Sequence, residues 1–143
     1  MLLCHHQRMT VDVLLRQTGR LRRSVSVWSA ARWAATPRPL PNLLPTSTTC
    51  AGVAYHLVQV LADLGADAEG RPRREVPRSE SDLALPDQLL VMAYDIAEAE
   101  PDDALLQAAL DEVMLHRAEI DGARADPEAL VRAAAACPQR QTS

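Results

Sequence analysis

The chain has 143 residues, 48% of them hydrophobic and 24% charged, which suits one globular domain and excludes the low-hydrophobicity, high-charge profile of a disordered polymer. A single core at this length removes roughly two-thirds of the unfolded surface from water, so no disulfide or metal staple is required. The net charge of −4 hides an asymmetry: residues 1–60 hold seven Arg and one acid, residues 61–143 eight Arg and eighteen acids. Such a division points either to one half of the chain docking on the other or to a basic surface meeting an anionic partner.

The apolar residues are dominated by 24 Ala and 20 Leu, both strong helix formers, while Val and Ile together number 13 and Phe is absent. An all-α fold follows as the expectation, since a β-rich core draws on β-branched and aromatic residues. Every one of the 15 cations is Arg, which codon usage in a GC-rich genome accounts for without a functional reason. Cys4, Cys50 and Cys137 show no CxxC spacing, so neither a disulfide framework nor a zinc knuckle is expected and a reducing cytoplasm fits best. No stretch reaches the roughly 18 apolar residues of a membrane span, so no membrane partner is expected. The apolar run before His5 is too short for a secretory signal, and Met9 offers an alternative start. Residues 1–9 are therefore expected to be a disordered extension, 10–137 a single helical domain, and 138–143 a disordered tail.

In chain order, Leu14, Leu21, Val25 and Trp28 fall at i, i+7, i+11 and i+14, the spacing of one helix face. Residues 10–35 are thus expected to be one amphipathic helix, or two broken at Gly19. Ser24 to Trp28 also alternates like a strand, but no second strand candidate exists to pair with it. Residues 36–45 contain four prolines and read as an extended crossover lying on the bundle through Leu40, Leu43 and Leu44. Ser47, Thr48 and Thr49 offer N-caps for a helix of about 49–64, whose Cys50, Val53, Ala54, Leu57, Leu61 and Leu64 form a continuous stripe ending at Gly65. Residues 66–84 form a second connection, long enough to be either functional or mobile.

Three proline-acid starts follow, at Pro86-Asp87, Pro101-Asp102 and Pro127-Glu128. Proline suits the first helical position, where its missing amide hydrogen loses nothing, and acids there meet the positive end of the helix dipole. They predict helices over 86–99, 101–121 with Gly122 as its C-terminal cap, and 127–137 ending at Pro138. The expected architecture is a four- to five-helix bundle with a Pro-rich crossover and one long irregular loop, short connections such as that between 86–99 and 101–121 making antiparallel neighbours.

Candidate sites are few. Arg16, Arg20 and Arg23 share one helix face opposite Leu14, Leu21 and Trp28, a row able to meet phosphates or carboxylates. Arg71, Arg73 and Arg74 form a second basic cluster in the 66–84 loop, which could join the first in space. Trp28 and Trp33, with Tyr94 and Tyr55, are the large side chains available as interface anchors, and they motivate an expectation of self-association into a homodimer. Glu112, His116 and Glu119 lie along one helix face as a metal site would need, but the only complement is His56 with Asp63, which with Gln59 fall opposite the apolar stripe and read as solvent-facing, so no metal is expected. Cys50 and His56 are six residues apart on one helix and point to different sides of it, so they make no catalytic dyad. No glycine-rich phosphate loop or dinucleotide fingerprint is present, and no cofactor is expected. The resulting expectation is a non-enzymatic helical protein-interaction or regulatory protein, with Arg16, Arg20, Arg23, Trp28, Trp33, Arg71, Arg73 and Arg74 as contact residues, and a nucleic-acid-binding regulator using the same Arg helix as the alternative.

Overall fold

A computed structural model describes residues 2–37 and 49–121. Among these the protein is all-α, with helices α1 (Leu2–Val25), α2 (Ala30–Ala34), α3 (Cys50–Glu69), α4 (Leu85–Glu98) and α5 (Asp103–Asp121), and one 3-10 turn at Asp82–Ala84. The Gly122 cap expected for 101–121, the helix expected at 127–137 with its Pro138 boundary, the caps Ser47 and Thr48, and most of the Pro-rich segment lie outside the described residues.

Helix α1 begins at Leu2, within the extension expected over 1–9, where the sequence holds no Pro or Gly to stop it. It also runs unbroken through Gly19. Its stripe is buried as the spacing requires, with Leu14, Leu21 and Val25 at 0–1% exposure and Trp28 at 8%. Thr18, within the stripe, turns its hydroxyl back to the Leu14 carbonyl at 2.8 Å and so enters the core with its donor satisfied. The break falls at 26–29 instead of Gly19: Ser24 and Ser26 donate their hydroxyls to the Leu21 and Arg23 carbonyls, and Ser29 opens α2 by accepting from the Arg32 amide.

Thr49 caps α3, its Oγ1 accepting from the Gly52 amide at 3.1 Å. The helix continues a full turn past Gly65 to Gly70, whose φ of 67° is the left-handed conformation of a C-terminal cap, with the Arg71 amide returning to the Ala66 carbonyl. Gly65 instead marks the close approach of α3 to α4: a β-carbon there would stand 3.6 Å from Ile96 Cγ1. Pro86 lies in the first turn of α4 as predicted. Pro101 lies one residue before the α5 cap, where Asp102 Oδ1 accepts from the Leu105 amide at 2.8 Å.

Helix α1 packs on α4 and α5, and α3 packs on the same two, so α1 and α3 are diagonal and so are α4 and α5. This corrects the expectation that the short connection makes α4 and α5 antiparallel neighbours. Five Cα steps from Glu98 to Asp103 reach up to about 17 Å, enough to cross the diagonal of a bundle whose adjacent axes are about 8–10 Å apart. Glu100 turns the chain there with a positive φ of 49°.

Cross-helix contacts fix the directions. Arg22 pairs with Asp87, Arg117 donates to Gln17, His56 meets His116 and Gly65 faces Ile96. The C-terminal ends of α1 and α5 therefore share one end of the bundle with the N-terminal ends of α3 and α4. Helices α3 and α4 are parallel neighbours, and residues 70–84 are the crossover that parallel neighbours need.

Since a β-carbon at Gly19 would meet nothing within 4 Å, the residue serves neither packing nor backbone conformation. Gly19→Ala is expected to raise stability by about 0.5–1 kcal/mol, read as a rise in thermal midpoint.

Candidate functional site

The irregular segment after α3 climbs the bundle as a strap, and α3 holds it through side chains. Gln59 makes a two-point clamp: its Oε1 accepts from the Val76 amide at 2.8 Å, and its Nε2 donates to the Arg74 carbonyl at 3.0 Å. Nε2 also donates to Asp63 Oδ1 one turn on, which orients the amide. Tyr55 donates its hydroxyl to the Val76 carbonyl, while the Arg78 guanidinium lies 5.4 Å from the Tyr55 ring centre. Backbone groups with no helix or sheet to pair with are thus satisfied, and the Val76 side chain packs on the core. Between the strap, α3 and α4 lies a cleft of about 310 Å³, with Leu61, Gly65 and Met92 among its apolar lining and Arg71, Arg74 and Asp95 among its charged lining.

The strap's basic residues are largely matched to acids beside them. Arg73 forks onto Asp67 at 2.7 and 3.1 Å, Arg71 pairs with Glu69, and Arg78 reaches Asp82 at 3.5 Å. The Arg73 hydrogen bond holds the Asp67 carboxyl below its ordinary pKa and raises that of Arg73. These pairs are exposed and contribute little stability, but they neutralise the loop. Arg74 has no such acid among the described residues, its carbonyl being what α3 holds. The strap follows α3, and α3 is diagonal to α1, so the two basic clusters do not merge.

Arg16, Arg20 and Arg23 are exposed on the outward face of α1, and none takes part in an ion pair among the described residues. Their neighbour Arg22 is tilted toward α4 and spends its charge on Asp87 at 2.9 Å. Trp28 and Trp33 are not exposed anchors. Their rings tilt against each other with centres 5.0 Å apart, Trp33 is wholly buried, and Arg32 covers Trp28 at 4.2 Å. With few aromatic residues in the chain, both indoles are used to close the end of the bundle where α2 meets α3.

His56 and His116 are brought together across α3 and α5, His56 Nδ1 lying 2.9 Å from His116 Nε2. His116 is wholly buried, and its Nδ1 lies 2.7 Å from the Glu112 carbonyl oxygen and 3.4 Å from the Glu112 carboxylate. With Nδ1–H donated to the carbonyl, His116 Nε2 accepts from His56 Nδ1–H, leaving His56 Nε2 on the exposed side. The predicted face of Glu112 and His116 therefore turns inward at His116, while His56 is exposed as expected and meets His116 from the solvent side. Among the described residues no three His, Cys, Asp or Glu converge as a metal site. Cys50 is buried, and burial pushes its thiol pKa up against the opposing effect of Arg32, which disfavours the reactive thiolate.

The strap clamp was missed by sequence reasoning, which placed Gln59 and Asp63 in solvent. Its signal was the i, i+4 pair Tyr55 and Gln59 beside a polar segment, 70–81, whose one aliphatic side chain apart from proline is Val76. Among the described residues, no helix is long and apolar enough to cross a membrane. Comparison with family models, curated proteins and solved structures finds no match to the chain.

Removing the clamp by Gln59→Ala is expected to cost about 1–3 kcal/mol, because two backbone groups lose a partner. Urea unfolding reads the loss, and faster amide hydrogen exchange at Val76 places it in the strap.

Proposed function

We propose that the chain is a small non-enzymatic helical interaction or regulatory protein, working in the cytoplasm, that contacts a protein partner through Arg16, Arg20 and Arg23 on α1. The observation that carries this reading is the unequal distribution of ion pairs. Arg22, Arg71, Arg73 and Arg78 each have a carboxylate within 4 Å, whereas the three outward arginines of α1 have none among the described residues. Like charges at i, i+4 and i, i+3 repel, costing a helix about 0.2–0.5 kcal/mol per pair, and an acidic partner surface would remove that cost.

A protein surface suits the row better than a nucleic acid does. The row is about 10 Å long at 1.5 Å per residue, which spans few phosphates. Trp28 and Trp33, the indoles that would stack on bases, are in the core. The chain as a whole carries −4, which opposes approach to a polyanion. The buried free thiol of Cys50 suits a reducing compartment.

The reading is tested by affinity purification from the source cells with wild type and an Arg16→Glu, Arg20→Glu, Arg23→Glu variant, both checked for helicity by circular dichroism. Protein partners that are retained at low salt, released at high salt and lost from the variant are expected. An unchanged set of proteins on the variant, or nucleic acid as the material retained by wild type, contradicts it.

A further inference from the structure

The outward face of α4 has the composition that the arginine row calls for. Asp87, Val91, Tyr94 and Glu98 recur at i, i+4, i+7 and i+11, which places them along one side of the helix, with Asp95 beside them. Val91 and Tyr94 are 54% and 49% exposed, so an apolar and aromatic patch stands in solvent between carboxylates. Asp87 is already engaged by Arg22, but Asp95 and Glu98 are exposed and make no ion pair among the described residues. Their position is also unfavourable to the helix, because acids in its last turns face the negative end of the dipole and α4 has no base there. A tyrosine ring flanked by free carboxylates is a surface for guanidinium groups, which stack on the one and fork onto the other.

We propose that the chain binds a second copy of itself, the Arg16, Arg20 and Arg23 row of each α1 seating on the Val91, Tyr94, Asp95 and Glu98 face of the other copy's α4. The inference rests on the interaction reading above and names the partner. The spans agree: seven residues separate Arg16 from Arg23 and Val91 from Glu98, about 10 Å of helix in each case. Helices α1 and α4 are neighbours in one bundle, so each copy presents both surfaces, and each supplies carboxylates that the other's arginines lack among the described residues. Within one copy the row cannot reach this face, since Arg16, Arg20 and Arg23 point away from the core and Arg22 alone is tilted toward α4.

Sedimentation equilibrium of the full chain across a salt series provides the test, with three samples: the Arg16→Glu, Arg20→Glu, Arg23→Glu variant, an Asp95→Arg, Glu98→Arg variant, and an equimolar mixture of the two. Wild type is expected to form a dimer that weakens as salt rises. Each variant alone is expected to weaken it on the order of 100-fold, and the mixture to restore a dimer within about tenfold of wild type. The Arg substitutions sit where cations favour the α4 dipole, so that variant is expected to keep its helicity. A wild type that stays monomeric at low salt, or a folded mixture that stays monomeric, overturns the proposal. A monomeric wild type whose arginine variant still loses other protein partners overturns self-association while leaving the interaction reading in place.

Discussion

Two neighbouring helices that run the same way cannot be joined by a tight turn, and α3 and α4 are such a pair. The chain has to return along the length of the bundle between them, and residues 70–84 do so. Extended chain of this kind exposes backbone donors and acceptors that no helix or sheet satisfies. Gln59 and Tyr55 supply the missing partners from α3, Val76 gives the strap an apolar foothold, and the local Arg–acid pairs remove its net charge. The rest of the arrangement depends on this return. With α4 started at the same end as α3, the short connection at 99–102 has to carry the chain across the diagonal, and α5 comes to rest between α1 and α3.

The same topology separates the charged surfaces. The strap, with most of its cations matched, runs along α3, while the arginine row of α1 lies at the diagonal corner and makes no ion pair among the described residues. Of the acids left over at the end of α4, Asp95 lines the cleft beside the strap and Glu98 is exposed. An overall charge near −4 is thus a sum of distinct patches, and the asymmetry between the chain's halves becomes a surface property through folding.

Much of the helical content is legible from residues alone. The stripe of Leu14, Leu21, Val25 and Trp28 is buried as its spacing requires, Thr49 caps α3, and Pro86 opens α4. Glycine was read too simply. Gly19 and Gly65 are the breaks that the sequence suggests, yet one sits on a helix flank with open space and the other at a helix contact, and Gly70, with its positive φ, is the cap. Helical periodicity also carries no information about direction or pairing, so α4 and α5 were expected side by side because their connection is short. A helical wheel shows which residues oppose the stripe, and His56 is exposed accordingly, but its meeting with His116 and the engagement of Gln59 by the strap depend on the topology that brings those partners there. Trp28 and Trp33 were taken for surface anchors by size, and the core needed that size more.

Parallel packing of α3 and α4 is the claim on which the others stand, and paired spin-label distances test it most directly. In a background lacking the three native cysteines, labels at Asp67 and Glu98 would report on the C-terminal ends of the two helices, and labels at Asp67 and Asp87 on opposite ends. The 67–98 distance is predicted to be the shorter, by about 10 Å, since eleven residues of helix separate Asp87 from Glu98. The reverse order would show the helices to be antiparallel and would contradict the account.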